Sequence, residues 1–155
     1  IALITLPENT PEKMQMQSIW TDPLHIVVAG THPLARKISH ERVSLTSLSL
    51  QPAILPSFNT YTGQPIERLF NQHGLRINHY IETNNLETIR MMVSIGLGWT
   101  ALPRTMLNNQ LQSLILQEDL RLPSRKLGYI HHQSRIMSSA ASAFLQTLKN
   151  TQQSG

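Results

Sequence analysis

The stretch Ser57-Phe58-Asn59-Thr60-Tyr61-Thr62 concentrates hydroxyl and amide groups, and Gly63-Gln64-Pro65 follows as the expected first turn of a helix. Thr62 is expected at the cap of that helix. The amides of Gly63 and Gln64 are expected to carry the partial positive charge that favours an anion or a carboxylate. Thr83 and Asn84 stand before a second helix, and Thr5 ends the first strand. In an open α/β sheet, ligands bind beyond the C-terminal ends of the strands, where such loops lead into helix N-termini. The candidate ligand residues are therefore Thr5, Ser57, Phe58, Asn59, Thr60, Thr62, Gly63, Gln64, Thr83 and Asn84. Phe58 and Tyr61 are expected either to wall a pocket or to pack. For Thr62, Thr83 and Asn84, capping is the plain alternative to ligand contact, and for the helix end at Thr62 the two uses are compatible.

Other chemistries find less support. The chain has 7 histidines and no cysteine, so disulfides and thiolate metal sites are excluded. His131 and His132 are adjacent in a predicted strand, so they face opposite ways, and the remaining histidines lack ligand spacing. No metal and no cofactor is expected. There is no G-x-S-x-G elbow, no P-loop and no G-x-G-x-x-G fingerprint, so no enzyme activity is expected. The net charge of +4 arises from 13 Lys and Arg against 9 Asp and Glu, scattered apart from Arg36-Lys37 and Arg125-Lys126. That pattern fits mild attraction for small anions better than direct DNA contact. No apolar run approaches the ~20 residues needed to span a bilayer, and Ile1-Ala2-Leu3-Ile4 has neither a basic lead nor a cleavage-like site.

The elements that must hold these residues alternate between strand and helix. Ile1 to Leu6 reads as a buried strand, Met14 to Trp20 as an extended segment and Leu24 to Ala29 as a strand broken by Gly30-Thr31. A short helix or turn is expected around Leu45, Leu48 and Leu50, then a buried strand at Ala53 to Leu55. Ile66, Leu69, Phe70 and His73 line the Thr62 helix, which Gly74 stops, and Ile77 to Ile81 forms the next strand. Asn84 and Glu87 have capping-box spacing for a helix whose inner stripe is Leu86, Ile89, Met92 and Val93. Gly96 is placed for a left-handed helix stop, closed by Leu97, before a buried strand from Trp99 to Leu102 that ends at Pro103. One helical turn over Arg104 to Asn108 and short strands at Leu114 to Leu116 and Lys126 to His132 come next, with a polar link at Glu118 to Ser124. Ser138 or Ser139 opens a closing helix with Ala141, Phe144, Leu145 and Leu148 inward and Lys149 in its last turn, and Thr151 to Gly155 is expected to fray. This order predicts α/β layers around a largely parallel sheet.

The segment Val93, Gly96, Gly98, Leu102, Pro103 reads V-x-x-G-x-G-x-x-x-L-P. With His32-Pro33-Leu34-Ala35 and the opening Ile1-Ala2-Leu3-Ile4, it resembles the effector-binding domain of LysR-type transcriptional regulators. The resemblance implies a type II periplasmic-binding-protein-like fold, two Rossmann-like lobes joined by two crossing strands. Laid on this sequence, residues 1–19 and 125–155 form an incomplete lobe one, and residues 20–124 a complete lobe two. The resemblance also implies a bacterial, cytoplasmic regulator. Its domain would bind a small polar or anionic metabolite between the lobes, and its DNA contacts would belong to a winged helix-turn-helix outside these residues. Self-association as a dimer or tetramer is implied, with Arg90 and Met91 as partner contacts. In the sulfur-assimilation branch of this family, threonines matching Thr5 and Thr62 help to bind an oxyanion. Here Gln64 stands where those proteins carry arginine. A solute-binding protein of a transport system shares the two-lobe shape and is the alternative reading.

Overall fold

The computed structural model describes residues 1–7, 9–36, 42–117, 120 and 122–153. Glu118 of the expected polar link and Lys37 of the first basic pair lie outside these residues, as does the side chain of Lys149. The chain divides into two compact units, Ile1–Asp22 with Ser124–Gly155, and Pro23–Pro123.

In the first unit, β1 (Ala2–Thr5) runs antiparallel to β7 (Ser124–His132), pairing Ala2 with Ile130 and Thr5 with Leu127. Contrary to expectation, β1 is not buried. Among the described residues, β1 has one neighbour strand, β7, and Ile1, Leu3 and Ile4 are exposed. Beside β7 runs the first half of β2 (Met14–Ala29), a single 16-residue strand where the sequence suggested two. Pro23 lies within it without breaking it, although proline cannot donate to the ladder. Helix α5 (Ser139–Gln153) packs Leu145 on Ile19 and Tyr129. Ser138 caps it, its hydroxyl accepting from the Ala141 amide at 3.2 Å. Phe144 is exposed rather than inward, and the helix continues through Gln153, past the expected fraying point. The buried Asp22 forms an ion pair at 2.8 Å with the partly buried Arg125.

The second unit holds the larger core. The far half of β2 pairs antiparallel with β5 (Trp99–Pro103) and with β6 (Leu111–Ser113), while β3 (Ala53–Leu55) pairs parallel with both β5 and β4 (His79–Glu82). The sheet is thus mixed rather than largely parallel. Its parallel part is the trio β4-β3-β5. β6 lies three residues before the strand expected at Leu114, and Leu116 instead bridges to Val43. Alternation sends the strand residues to two faces. Ile26, Val28, Ala53, Leu55, Trp99 and Ala101 meet α1 (Pro33–Arg36), α2 (Leu45–Ser49) and α3 (Gly63–Gln72). Val27, Ile54 and Leu102 meet Ile89 and Val93 of α4 (Leu86–Ser94). Phe70 of α3 stacks on Trp99 with ring centres 5.4 Å apart, and both are fully buried.

α4 ends in a complete Schellman arrangement. The Gly96 amide donates to Val93 O at 2.9 Å and the Leu97 amide to Met92 O at 3.3 Å, with Gly96 at φ +88°. Leu97 remains partly exposed, so its closing contact is incomplete. Gly96→Ala forces an L side chain into the left-handed region, at a cost of roughly 1–2 kcal/mol in urea denaturation; unchanged stability would contradict this reading of the stop. His32 also sets a testable dependence. It is buried, its Nδ1 accepts from the Leu34 amide at 3.2 Å, and burial holds its pKa below the usual 6.5. Because the folded value lies below the unfolded one, this contribution is complete above about pH 6.5 and is lost as pH falls from there through the folded value. The melting temperature of the parent should therefore drop more steeply below that pH than that of His32→Asn, which keeps an acceptor without the titration. Parallel curves would contradict it.

Candidate functional site

Because β3, β4 and β5 are parallel, their C-terminal ends lie on one edge of the second unit, and the loops that follow them gather there. After Leu55 and the buried Pro56, the chain makes a turn in which Ser57 O accepts from both the amide of Thr60, at 3.0 Å, and its hydroxyl, at 2.7 Å. The Thr60 Oγ1 then accepts from the Gly63 amide at 3.0 Å, and Thr60 O accepts from the Gln64 amide at 3.1 Å. Those are the two bonds of an N-cap. Thr60 therefore caps α3, where the sequence reading gave that role to Thr62. Thr62 already has helical backbone angles, φ −100° and ψ −44°, and its side chain makes no cap bond. It is buried, at 6% exposure.

This changes which donors remain. The Gly63 and Gln64 amides, expected to face an anion, are spent on Thr60. Among the described residues no acceptor meets the amides of Tyr61 or Thr62, so the open donors of this turn lie two residues earlier than expected. Gly63 is required for another reason. A Cβ there would collide with Ser57 O and come within 2.7 Å of Pro56 O, so the helix start rests directly on the loop backbone.

The second loop is tied to the first. Asn84 Oδ1 accepts from the Ser57 amide at 3.0 Å. Its carboxamide orientation is thereby set, and the two Nδ2 hydrogens are left for an outside acceptor. Asn84 consequently does not cap α4. Asn85 does, accepting from the Thr88 amide at 3.0 Å, while the Thr83 hydroxyl lies 3.4 Å from the Asn85 amide. Glu87, the expected capping-box partner, instead pairs with Arg90 at 2.6 Å. Phe58 is half-buried against the core, its ring 4.8 Å from that of His79, whose Nε2 lies 3.4 Å from Leu55 O. Asn59, Tyr61 and Gln64 are exposed.

The structure thus brings Ser57 to Gln64 and Thr83-Asn84 together on one edge. Thr5 belongs to the other unit, where it lines a concavity of about 260 Å³ with Leu3, Ile4, Leu127 and Gly128. His79, which supports Phe58, and the capping role of Thr60 escaped the sequence reading. The second was readable from the three-residue spacing of Thr60 to Gly63. No group of three His, Cys, Asp or Glu able to hold a metal occurs among the described residues. The donor set suits an acceptor-rich small molecule held by hydrogen bonds.

The two connectors are separable by mutation. Asn84→Ala should cost roughly 0.5–1.5 kcal/mol and raise hydrogen exchange at the Ser57 amide, with the rest of β3 unaffected. Thr60→Val should cost about 1 kcal/mol as a lost cap, and Thr62→Val less. Amide exchange read by NMR, with urea denaturation, checks both. Equal losses at positions 60 and 62, or an unmoved Ser57 amide, would contradict the assigned bonds.

Comparison with known proteins bears on this geometry. The family model of the LysR substrate binding domain matches residues 1–153. An uncharacterized HTH-type transcriptional regulator of Escherichia coli K12, YeiE, is 34% identical over 127 residues, covering 80% of this chain and 42% of that protein. The RuBisCO operon transcriptional regulator of Allochromatium vinosum is 24% identical over 147 residues, covering 93% of this chain and 47% of that protein. The chain therefore spans about half, or less, of the length of these curated relatives. Among solved structures, the regulatory domain of CcmR from Synechocystis PCC6803, in complex with 2-PG, superposes with a TM-score of 0.79 at 20% identity, covering 97% of this chain and 72% of that one. The effector binding domain of QuiR, in complex with shikimate, gives 0.77 at 18% identity, covering 98% of this chain and 71% of that one. The fold is that of LysR effector-binding domains, and the chain belongs to the LysR substrate-binding domain family.

Proposed function

We propose that this chain is the effector-sensing part of a LysR-type transcriptional regulator, and that it binds a small polar or anionic metabolite at the edge formed by Ser57 to Gln64 and Thr83-Asn84. The observation that carries this reading is the bond from the Ser57 amide to Asn84, which holds two donor-bearing loops in one place before any ligand arrives. Thr62, Ser57, Asn59, Gln64 and the Asn84 carboxamide are the contacts proposed there, with Phe58 as a wall. Thr5 is proposed as an effector contact of the other unit on the strength of the family resemblance. The two units are proposed to be the family's lobe one, in part, and its lobe two.

The mechanism is a shift in population. An effector bound better by one arrangement of the domain favours it, and the parent protein transmits that bias to its DNA-binding portion, a winged helix-turn-helix outside these residues. Self-association through the surface around the exposed Met91 belongs to the same proposal. The relatives matched by sequence are transcriptional regulators, which favours sensing over the transport alternative. No described helix is long and apolar enough to cross a membrane.

A thermal-shift panel of sulfate, phosphate, shikimate and other small carboxylates and polyols tests the site. A ligand that raises the melting temperature of the parent should raise that of Thr62→Val distinctly less, since a tenfold loss of affinity removes about 1.4 kcal/mol of ligand stabilisation. The unliganded melting temperatures should stay close. Equal ligand shifts in parent and variant would reject Thr62 as a contact, and the same comparison on Thr5→Val judges that residue.

A further inference from the structure

We propose that His79 is a positioning residue of the effector site and makes that site responsive to pH, its protonated ring fastening the ends of β3 and β4 to each other. The inference rests on the site proposed above and concerns how its loops are held, not what they bind. One imidazole meets the root of both loops. Its Nε2 lies 3.4 Å from Leu55 O, on the last residue of β3. Its Nδ1 lies 4.0 Å from a carboxylate oxygen of Glu82, the last residue of β4. The ring stands 4.8 Å from that of Phe58, the proposed wall of the site. Leu55 O also accepts from the Thr83 amide at 3.4 Å, so one carbonyl joins the ring to the second loop.

Both neighbours of the ring are acceptors. A neutral imidazole has one N–H and a backbone carbonyl can only accept, so the contact with Leu55 O assigns that hydrogen to Nε2. Nδ1 then turns a lone pair toward a carboxylate. The imidazolium alone donates from both nitrogens, and it converts the repulsion at Glu82 into a charge-assisted attraction. Imidazole is the side chain that changes charge within the physiological range, so the fastening is made toward lower pH and released toward higher. Among the described residues, Glu82 is the one carboxylate within ion-pairing distance of this ring. β3 and the loop as far as Thr62 carry no charge at neutral pH, and the exposed Arg76 precedes β4. On the face where Phe58 packs, α3 carries Glu67, Arg68 and His73, the last with its Nδ1 2.8 Å from Leu69 O. Glu82 is 55% exposed, so the pair is a modest one.

An NMR titration of the unliganded chain from about pH 5 to about pH 8 tests the proposal. In the parent, the backbone amides of Ser57 to Gln64 and of Thr83 to Asn85 should shift together, with one midpoint that matches the midpoint read on the His79 ring. His79→Gln keeps a donor for Leu55 O without titrating, and should abolish the shared transition. Glu82→Gln should remove it from the Thr83 to Asn85 amides. Inorganic sulfate, whose charge is constant over this range, then reads the consequence for binding at constant ionic strength. The parent should bind it roughly twofold to fivefold more tightly at the lower pH, the size of effect a partly exposed ion pair gives, and His79→Gln equally at both. Loops that titrate with different midpoints, or a transition that survives in His79→Gln, overturn the proposal. A ring that only fills space would change the melting temperature on substitution and leave the pH profile as it was. Equal sulfate affinity at both pH values in the parent overturns the link to binding. Sulfate that moves none of these amides at either pH, while the shared transition stands, counts against the effector site and not against the fastening of its two loops.

Discussion

The parallel pairing of β3 with both of its neighbours is the constraint on which this unit depends. Ala53, Ile54 and Leu55 are fully buried, with α3 packed against one face and α4 against the other. Three residues suffice as a strand only because every side chain is covered and both edges are paired. Parallel pairing has a consequence beyond stability. β3 and β4 are each followed by a helix that returns the chain, α3 and α4, so those strand ends and helix starts share one edge. The polar loops of this chain meet there because the connection rule leaves them nowhere else.

Those loops arrive already ordered. Thr60 uses its hydroxyl twice, donating to Ser57 O and accepting from the Gly63 amide, and Asn84 holds the Ser57 amide from the neighbouring loop. The backbone donors that survive this accounting are few, and the groups left for a ligand are mainly side chains. Under the proposed function, a ligand taken up here would cost little ordering entropy, and one lacking a matching acceptor would leave a donor unpaired.

Much of the fold was legible in the residues because local signals and tertiary packing agree. Gly74 and Gly96 both take positive φ at helix ends, Pro103 closes β5, and the Ile66, Leu69, Phe70 stripe is buried as its spacing implies. Several of the misreadings share a cause, which is a partner distant in sequence. Nothing near Asn84 announces that Ser57, 27 residues earlier, will take its side-chain oxygen and pass the cap of α4 to Asn85. The antiparallel pairing of β2 with β5 likewise depends on long-range topology, which strand and helix alternation does not encode. In the candidate site, the loops chosen by residue type are brought to one edge of the second unit, apart from Thr5. Within the first loop the spacing of Thr60 to Gly63 already allowed the cap, and the coordinates show Thr60 taking it, with Thr62 buried without that bond.

The most direct test of the account is a crystal structure of the chain with an effector drawn from the ligand panel. The account predicts density for that molecule beyond the ends of β3, β4 and β5, within hydrogen-bonding reach of the Asn84 carboxamide and the turn at Thr62. Density at the opposite edge of the same sheet, beside Pro52 and Gly98, would contradict it.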